Sequence, residues 1–77
     1  MKIKIYAVLK DYFPATVEIN SAIANISELK TQLEKQNPSA KAILDLSRFA
    51  VDDAFVSLEH NLNGIETVSV IPPSSGG

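Results

Sequence analysis

Seventy-seven residues with a formal charge of −2 and no cysteine make one small domain that buries roughly 60–65% of its unfolded surface. Its stability scales to roughly 4–11 kcal/mol. The composition excludes a disulfide framework, a thiolate metal site and any sulfur or acyl group carried on a cysteine of its own. The basic residues Lys2, Lys4, Lys10, Lys30, Lys35, Lys41 and Arg48 are scattered, so no patch tracks phosphates and nucleic acid is not an expected partner. The apolar runs are far shorter than a membrane span, and the N-terminus starts at once with strand-like alternation, so a cytoplasmic location is expected.

From Lys2 to Leu9 the chain alternates, with Ile3, Ile5, Ala7 and Leu9 on one face and Lys2, Lys4, Tyr6 and Val8 on the other. That pattern predicts a half-buried strand. Asp11-Tyr12-Phe13-Pro14 breaks it, because Pro14 lacks an N–H and fixes its own φ; a second strand is expected over Thr16 to Ile19, closing a long-looped hairpin. Asn25 and Glu28 have the spacing of a capping box, in which the Asn side chain takes an orphan amide of the first turn and the Glu reaches back. The helix that starts there buries Ile26, Leu29 and Leu33, turns Lys30, Glu34 and Lys35 to water, and ends before Pro38.

A second short helix is expected over Ala40 to Leu46, with Ile43, Leu44 and Leu46 inward. Phe49 and Val51, then Phe55 and Val56, flank Asp52-Asp53, whose tolerance of positive φ predicts a tight turn between two strands. Asn63-Gly64 marks another turn before Thr67-Val68-Ser69-Val70-Ile71, an apolar, β-branched run of the kind found at the centre of a sheet. Pro72 and Pro73 end its pairing. The order β-β-α-α-β-β-β, with a right-handed return that sets the last strand parallel to the first, predicts an α+β, β-grasp (ubiquitin-like) fold. The expected division is a β-grasp domain over 1–71 and a tail over 72–77, stiffened at its root by the prolines.

The tail ends in Gly76-Gly77, a pairing that arises by chance at one given end in only about one chain in 200. Taken alone, it has two readings: a C-terminal carboxylate that is the working group, or a short frayed end of small residues. Glycine at both positions lets the backbone approach a nucleotide and thread a narrow channel where a Cβ would clash. His60 has no cysteine or second histidine to complete a ligand set, so no metal site is expected. Asp52 and Asp53 are read as turn residues and not as an acid–base pair, since adjacent turn aspartates point apart.

Several stretches together resemble the ubiquitin-like sulfur carriers, and within them the small subunit of molybdopterin synthase. They are Ile3-Lys4-Ile5-Tyr6-Ala7-Val8-Leu9-Lys10-Asp11, Phe49-Ala50-Val51-Asp52-Asp53, Phe55-Val56 with Leu62 beyond it, and Ile71-Pro72-Pro73-Ser74-Ser75-Gly76-Gly77. The double-proline tail is the specific element. The chain departs from the family pattern at Asp52, where Asn is common, at Ile65-Glu66, where Gly-Asp is common, at Val70 or Ile71, where an aromatic often stands, and at Ser74, where Val is usual.

The resemblance implies a monomeric co-substrate, not an enzyme on its own. An adenylating, E1-like partner using ATP and magnesium would activate the Gly77 carboxylate, and a persulfide donor would convert it to a thiocarboxylate. That group would deliver sulfur to a pterin precursor in the large catalytic subunit of molybdopterin synthase. Gly77 would react, Gly76 would give clearance, and Tyr6, Val8, Ile71, Pro72 and Pro73 would form the partner-binding surface; no cofactor would be bound. Three other readings share the sequence: the sulfur carrier of thiamine thiazole synthesis, a protein modifier conjugated through Gly77 to target lysines, and a binding module whose tail is idle.

Overall fold

A computed structural model of the chain describes residues 1–73. Strand β1 (Lys2–Ile5) carries the alternation seen in the sequence, with Ile3 and Ile5 buried and Lys2 and Lys4 exposed. It pairs antiparallel with β2 (Thr16–Glu18) and parallel with β5 (Thr67–Ile71). The Ile5 N–H still reaches the carbonyl of Ala15 at 2.9 Å, but there the ladder ends, short of the Leu9 expected from the alternation.

Ala7–Asp11 is instead a 3-10 helix, entered through Ala7 at φ 52°. Two features of the sequence account for the change. Beyond Ala15 the partner strand would have to use Pro14, which has no N–H to give. Leu9 and Phe13, four apart, are both buried, and the Phe13 N–H donates to the Leu9 carbonyl at 3.1 Å. Helical spacing is thus concealed inside an apparent alternation. Ala7, expected inward, is exposed, and Val8 leaves the sheet.

Helix α1 (Ile26–Gln36) begins at Asn25, whose Oδ1 accepts the Glu28 N–H at 2.9 Å. Glu28 Oε1 in turn accepts the Ala24 N–H at 3.0 Å, one residue before the position an ideal capping box would use. Ile26, Leu29 and Leu33 are fully buried against the sheet residues Ile3, Val68 and Val70 in one core. The helix stops before Pro38, and Asn37 fastens its end: Nδ2 donates to the Tyr12 carbonyl at 3.0 Å and Oδ1 accepts the Ser39 N–H at 3.1 Å.

A one-turn 3-10 segment (Pro38–Ala40) then leads into α2 (Lys41–Leu46), where Leu44 is buried and Ile43 half-buried. Leu46 is 68% exposed, contrary to the inward placement expected of it. It lies about 200° around the helix from Leu44, so a helix of this length cannot bury both against one neighbour. Lys30 of α1 reaches Asp45 at 2.6 Å and ties the two helices together at the surface, while Lys41 pairs with the same carboxylate within α2 at 3.0 Å. Hydrogen bonds from Lys30 and then Lys41 hold the Asp45 carboxyl below the ordinary carboxylate range.

Strands β3 (Arg48–Val51) and β4 (Ala54–Val56) form the second hairpin across Asp52-Asp53, both left-handed at φ 51° and 66°. Positive φ at both central residues is the geometry of a two-residue type I′ turn, which matches the twist of the strands. Gly64, at φ 80°, makes the turn before β5. The sheet order β2-β1-β5-β3-β4 places β5 at the centre, parallel to β1 and antiparallel to β3. This is the β-grasp arrangement.

Candidate functional site at the end of the central strand

Because β5 is the middle strand, its last residue has a neighbour on each side. Ile5 is level with Val70 on the β1 side, and Arg48 lies directly opposite Ile71 on the β3 side. Directly opposed residues share a face of the sheet. With Val68 and Val70 turned into the core, Ile71 and Ser69 turn outward. Pro72, the next residue, is buried and Pro73 is exposed, so the chain is held against the body for one residue past the strand. Gly77, expected to react, and Gly76, expected to give clearance, lie outside the described residues.

The outward face is concave, a hollow of about 460 Å³ with Tyr6 and Ile71 at the exit end, Lys4 and Phe55 on its flanks, and Asp52 and Asp53 at the far end. Tyr6 and Phe55 are 42% and 53% exposed, large apolar rings left uncovered by the fold. The Arg48 guanidinium sits 4.0 Å from the centroid of the Phe55 ring, a stacked cation–π contact. Tyr6 and Ile71 therefore share the hollow. Val8 does not line it, because the 3-10 turn carries that residue out of the sheet.

Phe55 was not singled out from the sequence, although the signal was present. Across a two-residue turn Val51 pairs with Ala54 and Ala50 with Phe55. Once Phe49 is assigned to the core, alternation along β3 turns Ala50 outward, and Phe55 must follow it. His60 serves a turn: its N–H donates to Ser57 at 3.1 Å and its carbonyl accepts the Ile26 N–H at 3.2 Å. Among the described residues no three His, Asp or Glu side chains converge to hold a metal ion, and no helix is long and apolar enough to cross a membrane.

Among the described residues the arrangement has no nucleophile with an adjacent base and no phosphate cradle. It offers a curved, partly apolar face next to the point where the chain leaves the sheet. The sequence profile of the ThiS family matches residues 3–77, nearly the whole chain and through the diglycine. No curated protein matches. Among solved structures, SAMP1 from Haloferax volcanii superposes with a TM-score of 0.82 at 17% identity, covering 99% of this chain and 97% of that one.

Proposed function

The chain belongs to the ThiS family of ubiquitin-like sulfur carriers and modifiers, and from that premise we propose that it is the sulfur-carrying small subunit of molybdopterin synthase, with the carboxylate of Gly77 as the reactive group. Members of the family are in general carriers without catalysis of their own, working with E1-like activating enzymes and partner synthase subunits. The observation that carries the proposal is that the family match runs through Gly77 while β5 brings the chain out beside a hollow suited to a partner. The molybdopterin assignment is supported by the Pro72-Pro73 step and by Tyr6-Ala7-Val8-Leu9-Lys10-Asp11, which the thiazole carriers usually lack.

In this function the Gly77 carboxylate oxygen attacks the α-phosphorus of ATP in the activating enzyme, expelling pyrophosphate and forming a mixed anhydride. A persulfide sulfur then attacks the acyl carbon and AMP leaves. A thiol cleaves the resulting acyl persulfide at its S–S bond, giving the Gly77 thiocarboxylate and a disulfide. The thiocarboxylate is ionised and nucleophilic near neutral pH, suited to attack the pterin precursor in the large subunit. ATP and magnesium belong to the activating partner, and this chain contributes the acyl group, the clearance at Gly76, and a docking face that includes Tyr6, Phe55, Ile71, Pro72 and Pro73.

Intact and tandem mass spectrometry after incubation with ATP, magnesium, an activating enzyme and a persulfide donor tests the proposal, with thiol alkylation to separate sulfur incorporation from oxidation of Met1. An alkylatable group on Gly77, lost on deleting Gly77 and on adding large subunit with precursor, is the expected result. Gly76→Leu should impair transfer without altering the melting temperature. Sulfur passed only to a thiazole, or amide adducts on lysines, would redirect the assignment to the thiamine carrier or to a modifier. A Gly77 that stays a carboxylate refutes it.

A further inference from the structure

We infer that Arg48 selects the activating partner, by presenting a fixed guanidinium to a carboxylate on the rim of the channel that receives this chain's C-terminus. The inference rests on the proposed function above. Arg48 lies directly opposite Ile71, so it shares the outward face with the last residue of β5 before the double proline. Its guanidinium is held 4.0 Å over the Phe55 ring, which fixes the planar fork in place and lowers the entropy lost when it forms a bidentate pair. Among the described residues it takes part in no ion pair.

The charges of this face are also separated along the strands. Arg48 stands at the exit end and Lys4 one register step back, opposite Ser69, whereas Asp52 and Asp53 close the hollow at the other end. Lys2 lies at that far end too, level with Thr67, but with Glu18 directly opposite it on β2 and Asp52 and Asp53 beyond, the carboxylates there outnumber it. A protein of net charge −2 therefore shows a cationic end where its chain emerges and an anionic end on the far side. A partner surface of the reverse polarity, carboxylate beside the channel mouth and apolar ground for Tyr6 and Phe55, would accept the face in one orientation. That is the orientation that sends the C-terminus into the channel.

The test is steady-state adenylation of the full chain by the activating enzyme, read as pyrophosphate release, for Arg48→Glu, Arg48→Gln and Phe55→Leu. Lys35→Glu, on the exposed face of α1, is the control. Arg48→Glu should raise the KM for this protein about tenfold at low salt, and Arg48→Gln about threefold, with kcat within about twofold of wild type. Phe55→Leu, which keeps the apolar bulk and removes the stacking face, should fall between wild type and Arg48→Gln. The differences should shrink between about 50 mM and about 500 mM salt. Melting temperatures should stay close to wild type, because Arg48 and Phe55 are both exposed and share only a surface contact.

A KM for Arg48→Glu within about twofold of wild type at low salt overturns the inference, as does a rise that salt leaves unchanged, since that would mark a steric contact and not a charge pair. An equal rise for Lys35→Glu would show only a response to net charge and also overturns it. Wild-type protein that is never adenylated removes the proposed function and this inference together, so the two failures are distinguishable.

Discussion

Leu9 tests how firmly the 3-10 turn that ends β1 is anchored in the core. It is fully buried, while its neighbour Val8 is 40% exposed. Leu9→Ala removes the isobutyl group from a closed site and should cost about 3 kcal/mol, the middle of the range for buried leucines. For 77 residues the unfolding entropy is roughly 0.16 kcal/mol per degree. The melting temperature should therefore drop by about 15–20 °C. Val8→Ala, at a half-open position, should cost less than about 1 kcal/mol. Thermal melts followed by circular dichroism, with urea titrations at 25 °C for the free energies, measure both. A Leu9→Ala loss below about 1 kcal/mol, or equal losses at the two positions, would refute the claim that Leu9 anchors the 3-10 turn beside the hollow.

Three further outcomes are expected. Ala7→Gly would cost about 0.5–1 kcal/mol in a strand, but at φ 52° the relief of left-handed strain should leave a net gain of about 0.5 kcal/mol, read from the urea midpoint. Asp53→Gly, at φ 66° in the second position of the type I′ turn, should stabilise by about 0.5–1 kcal/mol. The Asp45 carboxyl titrates below its ordinary 3.8 because Lys30 and Lys41 hydrogen-bond it, so its contribution is present above that pH and lost as pH falls through the lowered value. Asp45→Asn should accordingly melt below wild type near neutrality, with the gap closing in acid; a gap that persists in acid would contradict the assignment.

The β-grasp order was legible because its signals are local and strong. The Asn25 cap, the Ile26, Leu29 and Leu33 spacing and the stop before Pro38 specify α1 whatever surrounds it. The Asp52-Asp53 turn fixes the second hairpin. The stretch from Tyr6 to Leu9 was misread because alternation there is degenerate: Ile3, Ile5 and Leu9 suit a strand, while Ile5, Leu9 and Phe13 suit a helical turn. What decided between them was the partner strand, which runs out of N–H groups at Pro14, a constraint that operates through space. Leu46 was misplaced for a related reason, since the direction of a six-residue helix is set by the one side that meets α1.

By itself, the sequence determined α1, the second hairpin, the central place of Thr67–Ile71 and the diglycine that ties the chain to its family, because capping, periodicity, β-branching and glycine content act on a residue and its near neighbours. Only the tertiary structure decided that Tyr6, Ile71, Phe55 and Arg48 meet around the end of β5. These residues come from separate segments, and register between strands, fixed by the burial of Ile3, Phe49, Val68 and Val70 on the opposite face, is what brings them together.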